Sequence, residues 1–247
     1  WIFHYRYSRS AKLMTLHIHT LIVSDFQQNA RVLIDDETHE AMVIDPGGGI
    51  NDIFDCVDVK TNTLKTILLT HCHIDHGGGV QGLLDRCEKE GLSRPQLLFH
   101  SKDNLLAKAI SLSCRMYGLN PEDYQDVPEA DTYVDDMGSI SFGSRQFKIL
   151  FTPGHAPGHV AFYLGTGDMV LQGDYAESVN EDPVLIAGDT LFQGSIGRTD
   201  LPMGDHATLL ESIREKLFTL PDNTIVLPGH GPNTRIGHEK QYNPFLN

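Results

Sequence analysis

The stretch Thr70-His71-Cys72-His73-Ile74-Asp75-His76-Gly77-Gly78-Gly79 lies between an apolar run at 66–69 and an apolar-periodic segment that reaches about Glu90 and stops at Gly91. The pattern predicts a buried strand, a polar loop over 70–79, and a helix with Gly91 as its C-cap. Three histidines and one aspartate within six positions cannot all face a core. Desolvating that many polar groups without partners costs about 1–3 kcal/mol each. In a loop past a strand end, alternate residues can converge, with His71 and His73 on one side and Asp75 and His76 on the other. Imidazole and carboxylate together suit zinc, iron or manganese.

Other strand ends repeat the arrangement. An alternating segment at 146–151 runs into Thr152-Pro153-Gly154-His155-Ala156-Pro157-Gly158-His159. An apolar run at 184–186 is followed by Ala187-Gly188-Asp189-Thr190, and another at 224–227 by Pro228-Gly229-His230-Gly231-Pro232. Each places a His or Asp just past a strand, beside Gly or Pro that tightens the turn. Gln172-Gly173-Asp174 offers a competing Gly-Asp pair. Further strands are predicted at 16–23, 30–34, 41–44, 96–100, 139–142, 159–164 and 169–171, with helices at 50–59 and 103–117. Asp205 is the expected N-cap of a last helix whose stripe is Leu209, Leu210, Ile213 and Leu217. Such a mixture predicts a layered α/β or α+β domain with sheet inside and helices outside. Residues 14–247 read as one domain, and the polar, acidic segment 165–182 as a surface insertion or extended hairpin.

The chain of 247 residues carries 19 Lys and Arg against 33 Asp and Glu, a net charge of −14. So acidic a chain disfavours nucleic acid as a partner, and no apolar run approaches the roughly 20 residues of a membrane span. Cys56, Cys72, Cys87 and Cys114 form no C-x-x-C pair, which fits a reducing compartment, and a cytoplasmic location is expected. Residues 1–13 mix charges with aromatics, have no signal-like apolar stretch, and are expected to lie outside the fold.

The order T-H-x-H-x-D-H, then G-H, G-D and G-H at successive strand ends, resembles the metallo-β-lactamase superfamily. The resemblance covers most of residues 14–247 and implies an αββα sandwich, two mixed β-sheets between helical layers, with a two-metal site along one edge. It implies that His71, His73 and His155 bind one metal, that Asp75, His76 and His230 bind a second, and that Asp189 bridges them. Gly188-Asp189-Thr190-Leu191-Phe192 fits the family pattern, and the segment around Asp174 does not. Asp75 is then also the catalytic residue that orients the attacking water. His159 is expected to support the ligands, and Cys72 to pack against the sheet.

Two further segments narrow the resemblance. Ser195-Ile196-Gly197-Arg198-Thr199-Asp200, and Pro228-Gly229-His230-Gly231-Pro232 with Asn243-Pro244-Phe245-Leu246, resemble the short bacterial glyoxalase II group. What this implies is a metal-dependent thioester hydrolase that cleaves S-lactoylglutathione to D-lactate and glutathione. Its cofactors would be two divalent ions, zinc first, with iron or manganese as alternatives. Its partner would be a small glutathione thioester, with Arg198 at a glutathione carboxylate. Only 17 residues follow His230, so the C-terminal helical domain that helps longer glyoxalase II enzymes hold glutathione is not expected. The same fold also serves mononuclear iron persulfide dioxygenases, where His71, His155 and Asp189 would form a facial triad. A non-catalytic metal-binding protein is the reading from a different class.

Overall fold

Several strands of this chain are apolar at successive positions, which is the pattern of a sheet buried on both faces. The computed structural model describes residues 15–179 and 181–246, so the expected extension at 1–13 lies outside the described residues. In chain order the strands are β1 (Leu16–Val23), β2 (Gln28–Asp35), β3 (Glu40–Ile44), β4 (Thr63–Leu68), β5 (Gln96–Phe99), β6 (Thr132–Tyr133), β7 (Ser139–Phe142) and β8 (Arg145–Phe151). They continue with β9 (Val160–Leu164), β10 (Met169–Gly173), β11 (Val184–Gly188), β12 (Leu191–Phe192), β13 (Ser195–Ile196), β14 (Ile225–Pro228) and β15 (Thr234–Arg235). The α-helices are α1 (Ile50–Val57), α2 (Ile74–Gly77), α3 (Val80–Lys89), α4 (Asn104–Ala107), α5 (Ile110–Tyr117), α6 (His206–Ser212) and α7 (Ile236–Tyr242).

The strands form two mixed sheets, ordered β10-β1-β2-β3-β4-β5-β6 and β15-β14-β11-β9-β8-β7, with β12 and β13 as a separate hairpin. Because side chains alternate across a strand, each strand feeds two layers. Leu33, Met42, Leu68 and Leu98 enter the layer between the sheets, where they meet Phe147, Phe162, Ile186 and Leu227. Their neighbours Val32, Val43, Ile67 and Leu97 face outward onto Ile53 of α1, Leu83 of α3 and Ile110 of α5. On the far side Leu185, Ala187 and Val226 pack against Leu209, Ile213 and Leu217. Three apolar layers therefore separate four structural ones, which is the αββα sandwich. Phe162 lies fully buried in the middle layer. Phe162→Ala is expected to destabilise the fold by about 3–5 kcal/mol, read as a lower denaturant midpoint.

Four local expectations change. The segment 165–182 is no surface insertion: it carries β10, which pairs in parallel with β1 from Leu16↔Met169 to Thr20↔Gly173. Met169 and Leu171 are buried in the middle layer, and Asp174 accepts a hydrogen bond from the Ile22 N–H at 2.9 Å. The short alternation Met-Val-Leu is thus an edge strand of the first sheet, and Asp174 closes its end. The loop 70–79 contains the single-turn helix α2. The helix expected at 103–117 is broken into a 3-10 turn (Ser101–Asp103), α4 and α5. Asp103, the first residue of that expected helix, turns its side chain inward, accepting from the Cys72 and Gly158 N–H groups at 2.9 and 2.6 Å. Asp205 does cap α6, accepting from Thr208 N at 2.7 Å, but the following turn, Ile213–Leu217, is a π-helix. Among the described residues no helix is long and apolar enough to cross a membrane.

Candidate metal centre

The chain leaves β4, β8, β11 and β14 at one edge of the sandwich, and backbone hydrogen bonds tie the exits together. Val160 N donates to Thr70 O at 2.8 Å, Gly229 N to Gly188 O at 2.8 Å, and Asn29 N to Gly229 O at 2.7 Å. All seven residues expected as ligands meet there, in two groups. In the first, His71 Nε2 and His73 Nδ1 lie 3.2 and 2.9 Å from His155 Nε2. In the second, His230 Nε2 lies 3.0 Å from Asp75 Oδ2, and His76 Nε2 lies 3.3 Å from Asp189 Oδ1. The donor atoms of each group lie within 4.8 Å of one another. Asp189 joins the two groups, with Oδ2 at 3.5 Å from His230 Nε2 and 3.6 Å from His155 Nε2.

Hydrogen bonds around the rim decide which ring nitrogens are left with lone pairs. The Thr70 hydroxyl donates to Asp45 Oδ2 at 2.6 Å, so towards His71 Nδ1, at 3.1 Å, it can only accept. His71 Nδ1 is then the protonated nitrogen and Nε2 holds the lone pair. His155 Nδ1 donates to the Arg198 carbonyl at 2.7 Å, and His76 Nδ1 to Asp45 Oδ2 at 2.9 Å. Three imidazoles thus aim their Nε2 lone pairs inward, each fixed by an outer partner, which is how metal-binding histidines are held. His76 Nε2 and Asp189 Oδ1 are buried without any hydrogen-bond partner. Buried groups orphaned in this way are rare, and a metal ion satisfies both.

Charge makes the same demand. Burial, with the neighbouring imidazoles of His76 and His155, holds His71 well below the usual histidine range. Burial, with His155, takes His73 down to about 3. Two imidazoles of the first group, His71 and His73, are therefore neutral donors. In the second, burial opposes charge on His76, yet Asp189, Asp75 and Asp45 together raise it well above its usual range. Burial likewise opposes charge on Asp75, but His76 and His230 hold its carboxyl below the ordinary value. A buried imidazole with three carboxylates around it calls for a cation.

Several residues beyond the expected ligands also build the site. Asp45, which precedes Pro46 and three glycines, also accepts from Thr70 N at 2.7 Å, and sits at a left-handed φ of 55°. Its signal was the one used elsewhere, an acidic residue at a strand end. Asn29 Nδ2 donates to Pro228 O and Gly231 O at 3.0 and 2.8 Å, and Arg31 Nη2 to Pro228 O at 2.7 Å, spanning the turn that carries His230. Burial lowers Arg31 to about 9. Burial also pushes Asp103, which joins the loops of Cys72 and Gly158, up to about 6. His159 stays outside both groups: its Nε2 accepts from Asp189 N at 3.0 Å, and its ring stacks on His71 at 5.0 Å. Cys72 is buried in the outer apolar layer.

Gly229 shows how closely the loops approach. A Cβ there would stand 2.1 Å from Asp189 Oδ1 and 2.7 Å from His76 Cε1. Gly229→Ala is expected to push the second group apart and lower metal content while leaving far-ultraviolet circular dichroism unchanged.

Both groups open onto a cleft of about 670 Å³, within the usual range of ligand sites. Arg198 lines that cleft, with its guanidinium exposed and held by Asp200 through Nε–Oδ1 and Nη2–Oδ2 contacts of 2.7 and 2.8 Å.

Comparison with known proteins agrees with this geometry. The family model of the metallo-beta-lactamase superfamily matches residues 24–182 and 176–230. Hydroxyacylglutathione hydrolase GloC of Haemophilus influenzae is 36% identical over 238 residues, covering 94% of this chain and 99% of that protein. A crystal structure of the BLEG-1 B3 metallo-beta-lactamase matches with a TM-score of 0.76 at 36% identity, covering 93% of this chain and 99% of that one. TTHA1623 in a di-iron-bound form matches with a TM-score of 0.72 at 31% identity, covering 92% and 99%. With the family model spanning most of the chain and the His and Asp groups in place, the chain belongs to the metallo-β-lactamase superfamily, as a metallo-hydrolase.

Proposed function

We propose that the protein hydrolyses glutathione thioesters, S-D-lactoylglutathione first among them, releasing D-lactate and glutathione. The observation that carries this reading is Asp189, whose one carboxylate reaches both groups of donors. The likeness to hydroxyacylglutathione hydrolase GloC supports the substrate class. His71, His73 and His155 would hold one divalent ion and Asp75, His76 and His230 the other, with Asp189 shared and zinc as the first choice. Ions bound there supply a water of pKa about 7 and a Lewis acid for the carbonyl.

The chain's own residues do the rest. Asp75, kept ionised by His76 and His230, accepts a hydrogen bond from the attacking water and so aims it. The water adds to the thioester carbon, the C–S bond breaks, and the leaving thiolate, of ordinary pKa near 8.5, needs no strong general acid. Arg198 would meet a glutathione carboxylate at the cleft lip, in competition with Asp200. Arg198→Gln is therefore expected to raise KM for S-D-lactoylglutathione with kcat little changed, and Asp200→Asn to lower KM.

The test is steady-state hydrolysis of S-D-lactoylglutathione with metal content measured on the same sample. Turnover with about two metals per chain, lost on treatment with 1,10-phenanthroline and restored by added zinc or iron, is the expected result. Absence of turnover, with one iron per chain and oxygen consumption on glutathione persulfide, would replace this reading with the dioxygenase.

A further inference from the structure

The cleft above the metal centre has a lining that lactoylglutathione does not explain. Among the described residues eleven large hydrophobic side chains are exposed, and five of them, Leu105, Leu112, Met116, Tyr117 and Met203, line this cleft. Met116 is 78% exposed and Leu105 69%. Exposed apolar side chains gathered in one place mark a binding surface, whereas scattered ones do not. The gathering comes from the broken helix: α4 and α5 each turn apolar residues outward beside His73 and Asp75, in place of the polar face a surface helix normally shows. Among the described residues the cleft's one Lys or Arg side chain is Arg198, paired with Asp200. That single cation, shared with Asp200, faces the two carboxylates of glutathione, while an alkyl chain meets apolar wall on the way to the donor atoms.

We infer that this cleft seats a large apolar acyl group, so that thioesters of medium-chain or aromatic acids are preferred to lactoyl. The inference rests on the thioester-hydrolysis reading and names its substrate class. The occupant follows from continuity: the apolar lining and the donors His73, Asp75, His155, Asp189 and His230 belong to one cavity. A group bound against Leu112 and Met116 therefore shares one cavity with the reacting centre. The reaction is unchanged, with water consumed, the C–S bond broken and a carboxylic acid and thiol released.

Binding and turnover test this separately. S-butyl- and S-octylglutathione are thioethers with no cleavable carbonyl and can be titrated calorimetrically into the metal-loaded protein. Each methylene moved out of water is worth about a two- to fourfold gain, so Kd is expected to fall about 20-fold or more from S-butyl to S-octyl. Leu112→Gln combined with Met116→Gln changes two exposed positions and is expected to flatten that ratio to within about threefold. In turnover, kcat/KM for S-octanoylglutathione is expected to exceed that for S-D-lactoylglutathione about tenfold or more. Equal Kd values along the series, an unchanged ratio in the double variant, or a dimer that the double variant dissociates would overturn the inference. If the thioethers bind as expected but no acyl glutathione is hydrolysed, the thioesterase reading falls and the apolar site stands. If lactoylglutathione turns over and the series is flat, the reverse holds.

Discussion

Asp189→Ala is expected to lower kcat for S-D-lactoylglutathione on the order of 10²–10³-fold or more, and to cut bound metal from two ions per chain to one or none. The reason is placement. One buried carboxylate faces His76 through Oδ1 at 3.3 Å, and His230 and His155 through Oδ2 at 3.5 and 3.6 Å. Removing it deletes the carboxylate that reaches both donor groups, and the three histidines of the first group would then bind at most one ion. Asp189→Asn keeps the volume and removes the charge, so it is expected to behave like the alanine variant and not like the wild type. Metal analysis and initial rates on the same preparation decide the matter. Two ions and near-normal turnover in either variant would show that Asp189 does not bridge.

Asp45→Asn is the second large effect, and it works at one remove from the metals. Asp45 accepts from Thr70 N, from the Thr70 hydroxyl and from His76 Nδ1. An amide keeps the shape and tolerates the left-handed φ of 55° at this position, but it has a single acceptor oxygen. At least one buried donor is then left unpaired, at about 1–3 kcal/mol, and His76 loses the partner that fixes its tautomer. Metal affinity, measured by competition with a chromophoric chelator, is expected to drop about 10–100-fold. An unchanged affinity would mean that Nε2 of His76 is held by packing alone.

The two variants also mark how far the site was legible in the sequence. Asp189 stood out because Gly-Asp followed an apolar strand, and the same signal exposed His155 and His230. Asp45 obeyed that rule too, but its Pro-Gly-Gly-Gly tail is a sufficient reason for a turn, which hid its second role. Asn29 and Arg31 carried no signal at all. They lie within β2, and their partners at Pro228 and Gly231 are 197 to 202 positions away. Nothing local to a polar residue in a strand says which distant loop it will reach. The segment 165–182 was misread for a related reason. Its strand at 169–171 was expected, but its acidic composition pointed away from the sheets, and only the register with β1 makes β10 an edge strand of the first sheet.

Sequence by itself determined the layered fold and the seven His and Asp residues that gather past the strand ends. Alternating burial is a local property of a strand, and a polar cluster past a strand end has no stable place except at the edge of a sheet. The tertiary structure decided how close the two groups stand, which ring nitrogens of His71, His76 and His155 face inward, and what lines the approach. Those depend on distances between loops and on hydrogen bonds from residues far along the chain. They depend also on where α4 and α5 break, which turns an apolar face toward the metal centre.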